Sequence, residues 1–360
     1  MKPRIAVLFG GRSPEHWISF KSGLFVLIFL DRDAYDVDAV YVRQDGTFAS
    51  ADVYLQTLDR FLAENRVVIF KDEDNVGDWR GRLEASASAL SEDFLLAAAG
   101  KAWDLVFPVF HGRFGEDGTI QGLVKTLGIP CAGCSFQASS MGMDKILTKQ
   151  IAEAAGLAVA PYRLVRSHDW AQRPNSLAGD IPRALGLPLF VKPARLGSSI
   201  GVSRATTEAS LRSALDLAFQ YDVRAIVEAE VRSSEYAVGV LGDRDRATTS
   251  VVAEYTSNPE NFDYDSKYGP SSLDDIIPSN LSPADTTVML DFVRAAFRVL
   301  KIRGICRIDC FQGPDGPILN EVNTMPGLNA LSPFIRAWGA AGVTKRELLD
   351  RIVALGLGKS

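Results

Sequence analysis

Residues 303–332 read RGICRIDCFQGPDGPILNEVNTMPGLNALS. Two β-patterned runs flank Gly313-Pro314-Asp315-Gly316, a turn composition, so the segment reads as a hairpin. Side chains alternate along a strand, which puts Arg307 and Asp309 on one face and Cys306, Ile308 and Cys310 on the other. The same alternation on the return strand groups Glu321 with Asn323 and sends Ile318 and Val322 to the opposite face. One side of the sheet then collects a guanidinium, two carboxylates and an amide. Hard oxygen donors of this kind suit Mg²⁺, which takes few protein ligands and completes its shell with phosphate and water. A surface hairpin whose polar face meets solvent would show the same alternation. Against it stands Asn323-Thr324-Met325-Pro326-Gly327, a tight loop whose backbone can approach a ligand.

Outward from this hairpin, 360 residues are enough for two or three domains with substantial cores. The composition, 47% hydrophobic and 23% charged, is that of an ordinary globular chain. A net charge of −5 without a sustained basic run offers no field for nucleic acid. The opening MKPRIAVLFGG reads as a first β-strand rather than a signal peptide, because its apolar run stops after five residues at a glycine pair. The most apolar run, Leu24 to Leu30, is far short of the roughly 20 residues that span a bilayer. A cytoplasmic location is therefore expected. Cys131-Ala-Gly-Cys134 has the spacing of a redox or zinc pair, which Cys306 and Cys310 could complete. Those two, however, fall on the apolar face of their strand, where a free cysteine packs as a small hydrophobe.

Along the chain, Ile5 to Phe9, Val37 to Val42 and Leu105 to Val109 read as strands of a parallel sheet buried on both faces. After the first come Gly10-Gly11 and Ser13-Pro14-Glu15, which reads as N-cap, first-turn proline and first-turn acid. The G-x-G-x-x-G spacing of a dinucleotide fold is absent. Leu24 to Leu30, apolar all round, reads as a helix that something must cover. The polar stretch 70–93 reads as loop. Asp144 to Ala155 has helical spacing with Gly156 as its stop. The polar segment 168–182 reads as a loop, Leu187 to Lys192 as a strand, and Leu211, Ala214, Leu215 and Ala218 as the apolar stripe of a helix. Ala225 to Glu228 and Ala237 to Leu241 read as strands. Helices begin at Ser282-Pro283-Ala284-Asp285 and at Thr344-Lys345-Arg346-Glu347, the latter a capping box.

Lys192 stands at a strand end, before a loop with Gly197, Ser198, Ser199 and Gly201. Backbone N–H groups of such a loop can line up on phosphate oxygens while the lysine supplies charge. It is not a Walker A loop, since the lysine precedes the glycines.

R-x-D followed by N-E-V-N-T-M-P-G resembles the metal-binding end of the ATP-grasp ligases and, more narrowly, the D-alanine–D-alanine ligases. The resemblance runs through nearly the whole chain in order. Gly10-Gly11 to Glu15-His16 is similar to the family's N-terminal substrate loop, and His111-Gly112 to Gln121-Gly122 to its second glycine loop. Lys145 and Lys192 resemble the two ATP-phosphate lysines, and Lys192 to Val202 the lid loop. Glu228 and Val231 match the adenine hinge, Glu235 the ribose contact, and Asp265-Ser266-Lys267-Tyr268 the mobile loop that closes the site. The implied fold is α/β, with an open parallel-sheet N-terminal domain (1–133), a central ATP-grasp domain (134–227) and a C-terminal metal-binding catalytic domain (228–360).

The resemblance also implies a mechanism. Asp309, Glu321 and Asn323 would hold two Mg²⁺ or Mn²⁺ ions on ATP, with Lys145, Lys192 and Lys267 balancing charge. Glu15 would meet the ammonium of a first D-alanine, whose carboxylate attacks the γ-phosphate. Arg307 and Ser332 would hold the carboxylate of the second D-alanine, and Arg307 with the Gly327 N–H would stabilise the oxyanion. Glu15, Ser198 and Tyr268 would close the loop over the first substrate. The product would be D-alanyl-D-alanine for peptidoglycan, and the enzyme a homodimer joined through the N-terminal domain, with the Leu24 to Leu30 run helping to bury the contact. Glu15, seen alone, could equally be a helix-dipole acid. His168 has no assigned role.

The chain departs from the family at Trp17-Ile18, where an acidic residue and valine are usual, and at Leu328 to Phe334, where Phe-Thr and then Ser-Met-Tyr-Pro are usual. The second departure borders the acceptor site, so a ligase using D-lactate or D-serine is the same-fold alternative. A dehydrogenase built on Ile5 to Gly11 is a rival from another class, opposed by the missing fingerprint. A catalytically dead ATP-binding module is opposed by Arg307, Asp309, Glu321 and Asn323.

Overall fold

A computed structural model of the chain describes residues 1–50, 88–89, 100, 102–243, 246–255 and 275–358. The expected loop over 70–93 (beyond 88–89) and the Asp265 to Tyr268 segment lie outside them.

Three sheets organise these residues. In the first, β1 (Arg4–Gly10) lies between β2 (Asp36–Val42) and β5 (Leu105–Val109), parallel to both, with β3 (Phe48–Ser50) and β4 (Ser88–Ala89) continuing beyond β2. Six consecutive buried residues in β1 explain its unbroken apolar run, since both faces of a parallel sheet are covered. At its end Gly10 has φ +94°, and a Cβ there would stand 2.3 Å from the Val42 carbonyl oxygen, so only glycine lets the chain turn off the sheet.

Helix α1 (His16–Phe29) follows. It starts later than the Ser-Pro-Glu pattern predicts. Glu15 is the N-cap residue, without a side-chain cap, and the Ser13 hydroxyl donates instead to the His111 carbonyl at 2.6 Å. The apolar run in α1 is covered within the chain. Leu24, Phe25, Val26 and Leu27 share one core with Phe107, Leu328, Phe334 and with Leu348, Leu349, Ile352 and Val353. The last four belong to α10 (Lys345–Gly356), so the C-terminal helix supplies the cover the sequence called for. Most of the run expected to help bury a dimer contact is thus covered within its own chain, with Ile28 and Phe29 only partly so.

The second sheet orders β6 (Tyr162–Arg166), β9 (Arg224–Ala229), β7 (Leu189–Pro193) and β8 (Ser203–Ala205). The segment expected as loop over 168–182 is instead two helices, α5 (Ser167–Gln172) and α6 (Pro174–Leu185). Its few apolar residues are well spaced: Trp170, Ala178 and Ile181 are buried against Leu211 and Leu215 of α7 (Glu208–Ala218). Pro174 occupies the first turn of α6, where its missing N–H costs nothing.

The third sheet orders β11 (Arg246–Tyr255), β10 (Glu235–Asp243), β12 (Arg303–Gly313) and β13 (Gly316–Asn323), antiparallel throughout. Cys306, Ile308 and Cys310 face a core closed by α8 (Pro283–Val299), as the alternation predicts. Ile318 does not share the Val322 face. Leu319 lies there instead, fully buried, because a register shift between Asp309 and Cys310 breaks the alternation. Ser282 caps α8 by accepting from the Asp285 N–H. Thr344 caps α10 by accepting from the Glu347 N–H; the reciprocal capping box lies instead at Thr207 and Ser210 of α7. All four cysteines are free. Burial pushes the Cys131 thiol up to about 12 and raises the other three as well, which suits packing rather than redox chemistry. Among the described residues, no group of three or more His, Cys, Asp or Glu is placed to hold a metal ion.

Candidate active site

The third sheet and the helix after residue 144 together build the cleft. Asp309 lies directly opposite Glu321, and Arg307 opposite Asn323, on adjacent strands. Neighbours across an antiparallel pair have Cβ atoms about 5 Å apart, so both carboxylates address one point. Arg307 grips Asp309 with two parallel bonds, both at 2.7 Å, and Asn323 Nδ2 donates to the same carboxylate at 2.9 Å. Asp309 is 1% exposed, so this charge is compensated within the protein. Lys145 Nζ stands 3.3 Å from Glu321 Oε2. Each carboxylate thus has a cation beside it, and an acidic pair with an amide oxygen at hand is a donor set that fits Mg²⁺.

Lys145 is the first residue of α4 (Lys145–Ala154), which Asp144 caps through the Ile146 and Leu147 N–H groups. Its ammonium also donates to the Leu196 carbonyl at 2.9 Å, tying the Gly-Ser loop to the β12–β13 hairpin through Glu321. In that loop Ser198 and Ser199 both have positive φ, +52° and +55°. Left-handed backbone costs roughly 1–2 kcal/mol at each non-glycine residue. The Ser198 hydroxyl bonds to Glu15, 183 residues away in sequence. The predicted Glu15–Ser198 contact therefore forms, while Tyr268, its third member, and Lys267 lie outside the described residues. Arg195 anchors the loop's start by a bidentate pair to Asp222, both bonds at 2.9 Å.

Lys192 Nζ is 2.7 Å from Glu228 Oε2, and Lys149 Nζ is 3.0 Å from Glu228 Oε1. Burial alone would raise the Glu228 carboxyl, but the two ammonium groups outweigh it and hold it at about 2. Burial weakens the proton on Lys149 against the pull of Glu228, whereas on Lys192 the carboxylates prevail and raise it. Lys149 is 1% exposed and was not singled out in the sequence. Its spacing of four from Lys145 puts both on one side of α4, although spacing alone does not tell a buried lysine from a solvent-facing one.

A cleft opens between these groups, lined by Lys145, Lys192, Glu235, Asn320 and Glu321 and by the apolar Phe190, Leu196, Val202 and Phe311. Apolar walls with a few convergent charges are what a nucleotide needs. Glu228 meets the cleft only through Lys192, and Val231 is not among the lining residues.

Nearer the first sheet, His111 lies between Ser22 Oγ (3.0 Å from Nε2) and Glu116 Oε1 (3.4 Å from Nδ1). Thr324 donates to the Glu116 carbonyl at 3.2 Å, so the second glycine loop and the Asn-Thr-Met-Pro-Gly loop meet. Gly327 lies beside Ser332, whose Oγ caps α9 (Pro333–Ala340) by accepting from the Phe334 N–H. The unusual 328–334 segment is anchored by Leu328 and Phe334, 3% and 1% exposed. Ile18 is buried and Trp17 packs against His16 and Phe20.

The family description "D-ala D-ala ligase N-terminus" matches residues 4–134, and "D-ala D-ala ligase C-terminus" matches residues 151–354. The D-alanine–D-alanine ligase of Deinococcus radiodurans is 37% identical over 363 residues, covering 99% of this chain and 99% of that protein. That of Geobacillus kaustophilus is 34% identical over 365 residues, covering 99% and 95%. Among solved structures, the D-alanine–D-alanine ligase from Coxiella burnetii is 27% identical with a TM-score of 0.77, covering 99% of this chain and 96% of that one. The VanG D-Ala:D-Ser ligase from Enterococcus faecalis is 26% identical with a TM-score of 0.78, covering 99% and 100%. Full-length matches to both family descriptions, on a fold of this kind, make the chain a member of the D-alanine–D-alanine ligase family.

Proposed function

We propose that this ligase joins two D-alanine molecules at the expense of ATP, through a D-alanyl phosphate, and that the residues of the cleft divide the work as follows. Lys145 and Lys192 balance the charge of the phosphates, Glu235 takes the ribose hydroxyls, and the segment from Glu228 to Val231 borders the adenine. Asp309, Glu321 and Asn323 hold divalent metal, two Mg²⁺ or Mn²⁺ ions, which neutralises charge on the transferred phosphoryl group. Glu15, oriented by Ser198, receives the ammonium of the first D-alanine. A carboxylate oxygen of that D-alanine attacks the γ-phosphorus and ADP leaves. Arg307 and Ser332 orient the second D-alanine by its carboxylate. Its amine attacks the acyl carbon, phosphate leaves, and Arg307 with the Gly327 N–H stabilises the oxyanion between. Lys267 and Tyr268 close over the reactants and keep water from the acyl phosphate.

The observation that carries this reading is that Lys145, Lys192 and Glu321 line one cleft, with Asp309 directly opposite Glu321 on the adjacent strand and Lys145 beside Glu321. Its test is Glu321→Gln and Asp309→Asn. Each is expected to lose ligation while keeping the native circular dichroism spectrum; near-native turnover at saturating Mg²⁺ contradicts the metal assignment. The resemblance further supports three units (1–133, 134–227 and 228–360), a cytoplasmic enzyme and a homodimer. Sedimentation of the native protein tests the dimer, a monomer at micromolar concentration contradicting it.

A further inference from the structure

Between Asp309 and Cys310 the pairing of β12 with β13 slips: Asp309 faces Glu321, but Cys310 faces Leu319. Asn320 is the extra residue, a β-bulge, with no partner opposite. Leu319 points into the core and Glu321 to the cleft; counted back from Glu321, strict alternation would have put Asn320 in the core and Leu319 in the cleft. The bulge turns Asn320 to the cleft beside Glu321, as bulges near active sites do. Asn320 is 8% exposed, and both the oxygen and the nitrogen of its amide are engaged. The Oδ1 accepts from Lys192 Nζ at 3.2 Å and the Nδ2 donates to Glu235 Oε1. Those partners come from other strands, 128 and 85 residues away, and carry opposite charge. An amide offers an acceptor to the ammonium and, from a separate atom, a donor to the carboxylate.

We propose that Asn320 is a positioning residue of the nucleotide site, holding Glu235 toward the ribose and Lys192 toward the phosphates and keeping the two from closing into a direct ion pair. The consequence is selection of a ribonucleoside triphosphate over its 2′-deoxy counterpart. This rests on the nucleotide reading above. Without the spacer, the attraction between ammonium and carboxylate in a poorly solvated cleft takes the lysine off phosphate and the carboxylate off ribose together.

Steady-state kinetics with ATP and 2′-deoxyATP on the native enzyme, Asn320→Leu, Asn320→Gln and Glu235→Gln test it. In Asn320→Leu two charge-assisted bonds are lost, so KM for ATP is expected to rise about tenfold to a hundredfold. KM for D-alanine should stay within about twofold of native, a split that general damage to the fold would not produce. The preference for ATP over 2′-deoxyATP should fall to that of Glu235→Gln. Native KM and native preference in Asn320→Leu, with preference lost in Glu235→Gln, overturns the role of Asn320 and leaves the ribose reading intact. A native enzyme that uses both nucleotides equally, or an unchanged preference in Glu235→Gln, overturns both. Should Asn320→Leu not fold, Asn320→Gln carries the test: a smaller shift in the same direction supports the proposal, and native values overturn it.

Discussion

Buried charge concentrates at Glu228, where one carboxylate holds two ammonium groups in a site that excludes water. Removing one member of a buried ionic cluster leaves the others uncompensated, typically at about 3–5 kcal/mol. Glu228→Gln is expected to lower stability in urea by that order, and a loss below about 1 kcal/mol would contradict the structural role assigned here. The pH dependence has a definite sign. Folding lowers the Glu228 carboxyl from its ordinary 4.5 to about 2, so the folded state holds this proton less tightly than the unfolded chain. The stability it contributes is complete above 4.5 and is lost as pH falls toward about 2. Thermal melts should show the gap between native and Glu228→Gln protein shrinking over that interval; a constant gap would refute the assignment. Residues of this kind divide by legibility. Asp309, Glu321, Arg307 and Lys192 were readable because strand alternation and a strand-end position give them a face. Lys149 was not read, because a lysine on a helix looks like solvent-facing charge until its buried carboxylate, 79 residues away, is known.

Elements were legible where periodicity is strong and less so where one residue changes the count. The β12–β13 hairpin follows from alternation, yet that same rule misplaced Ile318, because a bulge leaves no mark in composition. The helices over residues 167–185 were missed for a different reason: Pro174, Asn175, Ser176, Gly179 and Pro182 read as loop composition, and the spacing of Trp170, Ala178 and Ile181 is what marks the buried stripe. One element contact has a direct consequence for the acceptor side. A Cβ on Gly239 would lie 2.6 Å from the Trp338 indole nitrogen and 2.8 Å from the Phe334 ring. Helix α9 therefore packs on the sheet at glycine distance, and its N-cap is Ser332. Gly239→Ala is expected to lower stability by about 1–3 kcal/mol through overpacking. It should raise KM for the second D-alanine more than for ATP. A larger rise for ATP would show that α9 does not set the acceptor side.

At the scale of the whole molecule, the chain's two ends share one core. Helix α10 returns to cover α1, which is why the Leu24 to Leu30 run needs no second subunit to bury it. Leu349 is fully buried in this seam, and Leu349→Ala should lower stability by about 2–5 kcal/mol. Phe25→Glu with Ile28→Glu is expected to unfold the N-terminal sheet rather than release a folded monomer, since Phe25 is 5% exposed within its own chain. A well-folded double variant of changed mass would restore the dimer reading of that run.

The cleft, the family membership and the residue roles meet in a single reaction. Its most direct measurement is product formation with ATP, Mg²⁺ and D-alanine, offering D-serine and D-lactate as competing acceptors, with ADP and product quantified together. The account predicts D-alanyl-D-alanine as the main product at neutral pH, with equal amounts of ADP and dipeptide. ADP release that does not depend on D-alanine, or a product dominated by D-alanyl-D-lactate or D-alanyl-D-serine, would contradict it.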